Sequence, residues 1–199
     1  NRVRLERHGL GESLVEINRR AVELAREAER LTGQHVWVAG AVGPLGSPPI
    51  PPGAESPEDV RVLFREQVQV LADAGVDLVM LETFPSLAEI REAIAAVREV
   101  GDLPIIAQLT FTEEGHTLAG DSLEEAVEAL APLDLAAIGA NCSVGPGPLV
   151  EILEAMIPLA DRPVIIQPNA GFAAYQQGRL VYGTSPVYMA DMARKMVEA

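Results

Sequence analysis

The sequence predicts an α/β protein whose strands form a parallel sheet covered by helices. Two observations predict it. Five short apolar runs alternate with amphipathic helical stretches, and those runs are nearly unbroken by polar residues, the signature of strands buried on both faces. An open doubly wound sheet and a (β/α)8 barrel both satisfy this pattern, and five strands fall short of the eight that a barrel needs, which favours the open sheet.

Residues 1–11 are polar and basic and read as the middle of a loop. From Glu12 to Thr32 apolar residues return at helical spacing (Leu14, Ile17, Ala21, Leu24, Ala28, Leu31). They predict an amphipathic helix with this stripe buried and with Gly33 ending it in the left-handed conformation. His35 to Ala41 reads as a short, largely buried strand, followed by Val42-Gly43-Pro44-Leu45-Gly46 and a proline-rich loop through Pro52, where the backbone is free to approach a ligand. Ser56-Pro57-Glu58-Asp59 supplies an N-cap, a first-turn proline and an acidic third position for a helix that runs to about Ala74, closed by Gly75.

Val76 to Leu81 is an apolar strand interrupted only by Asp77, and it ends abruptly in Glu82-Thr83-Phe84-Pro85. Ser86 and Glu89 are spaced as a capping box for a helix whose buried face is Leu87, Ile90, Ile94 and Val97. Pro104 to Leu109 is the next strand, ending in Thr110-Phe111-Thr112 and an acidic loop; Ser122 and Glu125 cap the following helix. Leu135 to Ala140 leads into Asn141-Cys142-Ser143-Val144-Gly145-Pro146, and Pro148 to Ala160 is helical with Leu149, Ile152, Leu153, Met156 and Ile157 inward. Arg162 to Gln167 is the last strand, followed by Pro168-Asn169-Ala170-Gly171. Ser185-Pro186 starts a final helix, in which Met189, Met192 and Met196 read as core filling rather than a metal box.

At 199 residues, with no low-complexity linker, the chain reads as one domain, 1–199. A net charge of −14 opposes a nucleic-acid or anionic-membrane surface, both of which need clustered Lys and Arg, and leaves small-molecule chemistry. No apolar run approaches a membrane span and no signal peptide is apparent, so a cytoplasmic setting is expected. The single cysteine excludes an internal disulfide and fits a reducing compartment. His8, His35 and His116 show no metal-ligand spacing, and there is no Walker loop, Gly-x-Gly-x-x-Gly or His-Glu-x-x-His motif.

In either architecture ligands gather at the carboxyl ends of parallel strands, so the candidate chemistry lies in the segments that follow the five runs. Cys142 reads either as a small buried hydrophobe or as a ligand or reactive thiol, the latter favoured by its place just past a strand end. Glu82 breaks an apolar run, where an unpaired carboxylate is costly. It reads as one half of an arginine ion pair, as a helix cap, or as the receiver of a substrate ammonium group. Asn169 is either a turn former or a polar site ligand.

Taken in order, the strand ends resemble the homocysteine S-methyltransferase family. The matching residues are Asn1-Arg2 with Glu16-Ile17-Asn18, Gly40 to Pro44, Val76-Asp77-Leu78 through Glu82-Thr83-Phe84, Gly139-Ala140-Asn141-Cys142, and Gln167-Pro168-Asn169-Ala170-Gly171. The resemblance implies a (β/α)8 TIM barrel, incomplete over these residues with about five to six βα units. It also implies zinc-dependent transfer of a methyl group to the thiol of homocysteine, giving methionine. By the same resemblance Cys142 is a zinc ligand, Glu82 binds the homocysteine amino group, Asn141 lies in the substrate site, and Asn169 is an exchangeable metal ligand.

The family's other two zinc cysteines stand in a Gly-Gly-Cys-Cys motif on the last strand, and neither that motif nor the first strand's Asp-Gly motif occurs in this chain. The 199 residues are therefore expected to bind zinc weakly or not at all, and not to catalyse the reaction alone. Homocysteine and a methyl donor are the implied partners, the donor being methyltetrahydrofolate through cobalamin, betaine or S-methylmethionine. Cobalamin or folate would enter only through other domains, and further domains or a homo-oligomer fit the pattern. Two rival readings remain: a non-catalytic or partner-completed barrel fragment, and an unrelated barrel enzyme with Cys142 as a covalent nucleophile.

Overall fold

The computed structural model describes residues 1–46, 56–171 and 173–199. The proline-rich part of the first loop, expected to face a ligand, lies outside the described residues. Strands β1 (Ala39–Val42), β2 (Leu78–Phe84), β3 (Ile105–Leu109), β4 (Ala137–Asn141) and β5 (Val164–Gln167) form a sheet in the order β1-β2-β3-β4-β5. The pairs β1/β2 and β4/β5 are parallel. A doubly wound sheet reverses its strand order at a switch point, and the order of these five strands does not reverse. No helix among the described residues is long and apolar enough to cross a membrane.

The chain divides into two compact units, Asn1–Phe84 with Ala88–Ala107, and Pro85–Leu87 with Gln108–Ala199. The first unit opens with helix α1 (Arg2–Glu6), where a loop was expected. Its N-cap is the Asn1 side chain, which accepts from the Arg4 backbone N–H and donates to the Gly43 and Pro44 carbonyls at 3.2 Å each. The polar opening residues thus form a helical turn that fastens the loop after β1.

Helix α2 (Leu14–Thr32) ends at Gly33 in the left-handed conformation, as expected, but its buried face differs from the apolar stripe. Leu14, Asn18 and Val22 are buried, whereas Ile17, Leu24 and Leu31 are exposed. The reason is a polar contact. Asn18 donates to the Leu14 carbonyl (2.8 Å) and accepts from Gln67 of α3 (Pro57–Asp73) at 3.0 Å, so an amide pair sits where the hydropathy pattern places solvent.

Strand β1 begins at Ala39 rather than His35, because the Asp77 carboxylate takes the Val38 N–H (2.6 Å) and is paired with Arg26 (2.8 Å); the segment is not largely buried as expected, since Val36 and Trp37 are exposed. The capping box of α3 is formed by Ser56 and Asp59, and Phe64 of that helix packs on Phe84 at a ring-centroid distance of 5.7 Å. Helix α4 (Leu87–Val100) buries Ile90, Ile94 and Val97 as its periodicity predicts, whereas Leu87 at its start is only half-buried.

In the second unit, helix α5 (Leu123–Leu130) carries the expected Ser122/Glu125 capping box. Helix α6 (Pro146–Met156) buries Leu149, Ile152, Leu153 and Met156, but it stops short of Ile157, which is exposed. Helix α7 (Pro186–Glu198) is capped by Ser185 and buries Met192. An antiparallel hairpin, β6 (Ala173–Gln176) and β7 (Arg179–Tyr182), was not anticipated. Its turn places Gln177 (φ 48°) and Gly178 (φ 78°) in left-handed conformations, the pattern of a tight two-residue hairpin turn. Gln-Gly is a weaker signal for such a turn than Asn-Gly.

Candidate functional site

The second unit brings Asn141, Cys142 and Asn169 together. Asn141 pairs with Gln167 across β4/β5, the Cys142 N–H donates to the Gln167 carbonyl (3.0 Å), and the Asn169 N–H donates to the Val144 carbonyl (3.4 Å). Gly139 makes this register possible: a Cβ there would overlap the backbone carbonyl of Ile165 in β5. The Asn141 side-chain Nδ2 donates toward the Cys142 sulfur at 3.5 Å.

Cys142 and Ser143 both have left-handed backbones (φ 57° and 61°). Such conformations cost non-glycine residues about 1–2 kcal/mol each, and they persist where surrounding bonds over-determine the chain. The kink takes Cys142 out of the strand's alternation. Its exposure is intermediate, so it is not a sealed core hydrophobe.

Glu82 belongs to the first unit. The register Val42↔Leu81 continues to bring Gly43 beside the end of β2, where a Cβ on Gly43 would lie 3.7 Å from the Glu82 carbonyl oxygen. Thr83 has φ 64°, an outlier for a β-branched residue. A regular strand would place residues 82 and 84 on one face. The turn at Thr83 breaks that pairing, so Phe84 is fully buried while Glu82 keeps partial exposure.

Sequence reasoning missed one supporting residue. Glu89 of α4 is buried, and its Oε1 accepts from the Leu45 N–H at 2.8 Å, which anchors the glycine-rich loop after β1. Burial pushes its carboxyl above the usual range, against the opposing pull of the Leu45 N–H and of Arg4. The spacing to Ser86 had suggested only a capping box. A glutamate flanking Ile90 on the apolar face of the helix was the available signal.

Among the described residues no group of three or more His, Cys, Asp or Glu side chains could hold a metal ion. Catalytic zinc takes three protein ligands. Cys142 offers one thiolate, so the described residues by themselves do not fit that metal.

A family model described as Homocysteine S-methyltransferase matches residues 1–199. The chain is 27% identical over 192 residues to methionine synthase of Mycobacterium leprae, covering 92% of this chain and 16% of that protein. It is 29% identical over 192 residues to selenocysteine methyltransferase of Astragalus bisulcatus, covering 81% of this chain and 55% of that protein. Among solved structures, the metallated form of the homocysteine methyltransferase MmuM from Escherichia coli superposes with a TM-score of 0.73 at 25% identity, covering 99% of this chain and 75% of that one. The apo form gives a TM-score of 0.68 at 28% identity, with 79% and 61% covered. The chain thus spans only part of each of these relatives.

Proposed function

Because the chain belongs to the homocysteine S-methyltransferase family, we propose that it forms part of an enzyme that methylates the thiol of homocysteine to give methionine, with Cys142 as one ligand of the metal. The observation that carries this reading is the thiol at the carboxyl end of β4, lifted out of the strand by two left-handed residues and touched by the Asn141 amide. Ligands of parallel α/β folds gather at that end of the sheet. In the reaction the substrate sulfur loses its proton, a sulfur–carbon bond forms to the methyl group, and the bond between that group and its donor breaks.

Glu82 receives the substrate ammonium group, and Asn141 and Asn169 supply polar contacts, Asn169 also as an exchangeable metal ligand. The metallated state of the related Escherichia coli enzyme supports a metal, and zinc is the metal we assign. Thiolate coordination to zinc lowers a bound thiol's pKa toward neutrality. One thiolate does not hold such an ion, and the described residues by themselves do not supply the remaining ligands. The domain reading is a single homocysteine S-methyltransferase-like barrel. The exposed Ile17, Leu24 and Leu31 of α2 and the unpaired edge of β1 are surfaces that further βα units of a (β/α)8 barrel would cover.

The test uses the protein expressed from its whole reading frame. The wild type should convert homocysteine to methionine with one of the family's methyl donors. Cys142→Ser should lose bound zinc and turnover together while keeping the thermal midpoint of the metal-free wild type, since the serine preserves shape at a partly exposed position. A Cys142→Ser enzyme with full zinc content and undiminished turnover would remove Cys142 from the site.

A further inference from the structure

Gln108 lies in β3 one residue before the strand's end, and it is fully buried. Among the described residues neither its Nε2 nor its Oε1 has a hydrogen-bond partner. Strand alternation puts Gln108 on the face shared by Ile106 and Thr110, opposite Ile105, Ala107 and Leu109. Thr110 is the first residue beyond the strand's carboxyl end. Strand β3 neighbours β4 in the sheet, and Gln108 belongs to the same compact unit as Asn141 and Cys142. The buried amide therefore stands one strand away from the candidate thiol, near the same carboxyl end.

Leaving a buried carboxamide unpaired costs stability that an apolar side chain of similar size would not. Such a residue is retained where something other than the folded chain pairs with it. The proposed substrate has a zwitterionic head, and both of its charges need partners when taken out of water. Glu82 and Cys142 supply acceptors only, the Asn141 amide is turned to the Cys142 sulfur, and Asn169 is assigned to the metal. A carboxamide offers N–H donors to a carboxylate without burying a second full charge.

We propose that Gln108 is a substrate-binding residue for the amino-acid head of homocysteine, its Nε2–H donating to the α-carboxylate. The inference rests on the methyl-transfer reading and assigns a contact which that reading does not contain.

The experiment compares wild type with Gln108→Met in the protein expressed from its whole reading frame. It measures the thermal midpoint without substrate, and KM and kcat for homocysteine and for 3-aminopropane-1-thiol, which lacks the carboxylate. Gln108→Met should melt at or above the wild-type temperature, because an unpaired buried amide has been replaced by an apolar chain. Its KM for homocysteine should rise about ten- to hundredfold, the worth of a hydrogen bond to a charged group. Its KM for the amine should stay near the wild-type value, so the preference for the carboxylate collapses.

An unchanged KM for homocysteine in an active Gln108→Met enzyme overturns this inference and leaves the methyl-transfer reading standing. A lowered thermal midpoint also overturns it, because the amide would then have a structural partner. A wild type that never methylates homocysteine overturns the functional reading and this inference with it.

Discussion

Replacing Glu89 separates two roles that its burial combines. Its Oε1 is the acceptor for the Leu45 N–H, and Leu45 is itself fully buried. Glu89→Ala strands that N–H without an acceptor, which costs about 1–3 kcal/mol, and it empties volume beneath the loop that follows β1. Glu89→Gln keeps an acceptor in place and removes the charge. The folded-state carboxyl is raised above the ordinary 4.5, chiefly by desolvation. Below 4.5 the carboxyl is neutral in both folded and unfolded chains, and its contribution to stability is fully present. As pH rises from 4.5 through the folded value, the unfolded chain ionises first and that contribution is lost. The difference in unfolding free energy between wild type and Glu89→Gln, followed by urea denaturation from pH 4 to 8, should therefore move against the wild type across that window. The other carboxylates cancel in the difference because both proteins carry them. A difference that stays flat with pH, or that moves in favour of the wild type, refutes the assignment of Glu89 as a buried carboxylate held by Leu45.

Two further substitutions probe the packing that positions the candidate residues. Gly139→Ala should destabilise by about 1–3 kcal/mol through overpacking against the Ile165 carbonyl, whereas Gly101→Ala, with nothing within 4 Å of the added carbon, should change urea stability little or raise it; equal effects would remove the steric argument. Asn18→Leu should cost about 1–3 kcal/mol by stranding the buried Gln67 amide, and the double variant Asn18→Leu/Gln67→Leu should recover part of that loss in a double-mutant cycle. Strict additivity would show that the two amides do not act as a pair.

Much of the fold was legible because its signals are local. The capping residues Ser56, Ser122 and Ser185 sit within three residues of the N–H groups they satisfy, so a short window of sequence contains both partners. The buried face of α2 was not legible for the opposite reason. Asn18 is buried because Gln67, 49 residues later, completes its hydrogen bonding, and a hydropathy pattern scores each residue without its distant partner. The opening helix is a similar case. Its polar residues resemble solvent-facing loop until Gly43 and Pro44 are brought to the Asn1 amide.

The candidate site shows the same division between what sequence position marks and what tertiary structure adds. Glu82 and Cys142 were visible as polar residues at the ends of apolar runs, but a strand reading assumes alternation up to the last residue, and at both ends alternation fails. In β2 the left-handed Thr83 lets Glu82 and the fully buried Phe84 take different environments. After β4 the left-handed Cys142 and Ser143 are followed at once by buried Val144. In each case a backbone conformation unfavourable to its own residue separates a polar side chain from the apolar residue that ties the segment to the core. Neither conformation carries a glycine that would have announced it, so the strain is affordable only because the packing beyond it is complete. These two turns are therefore where backbone strain, held by the packing beyond it, sets the exposure of Glu82 and Cys142.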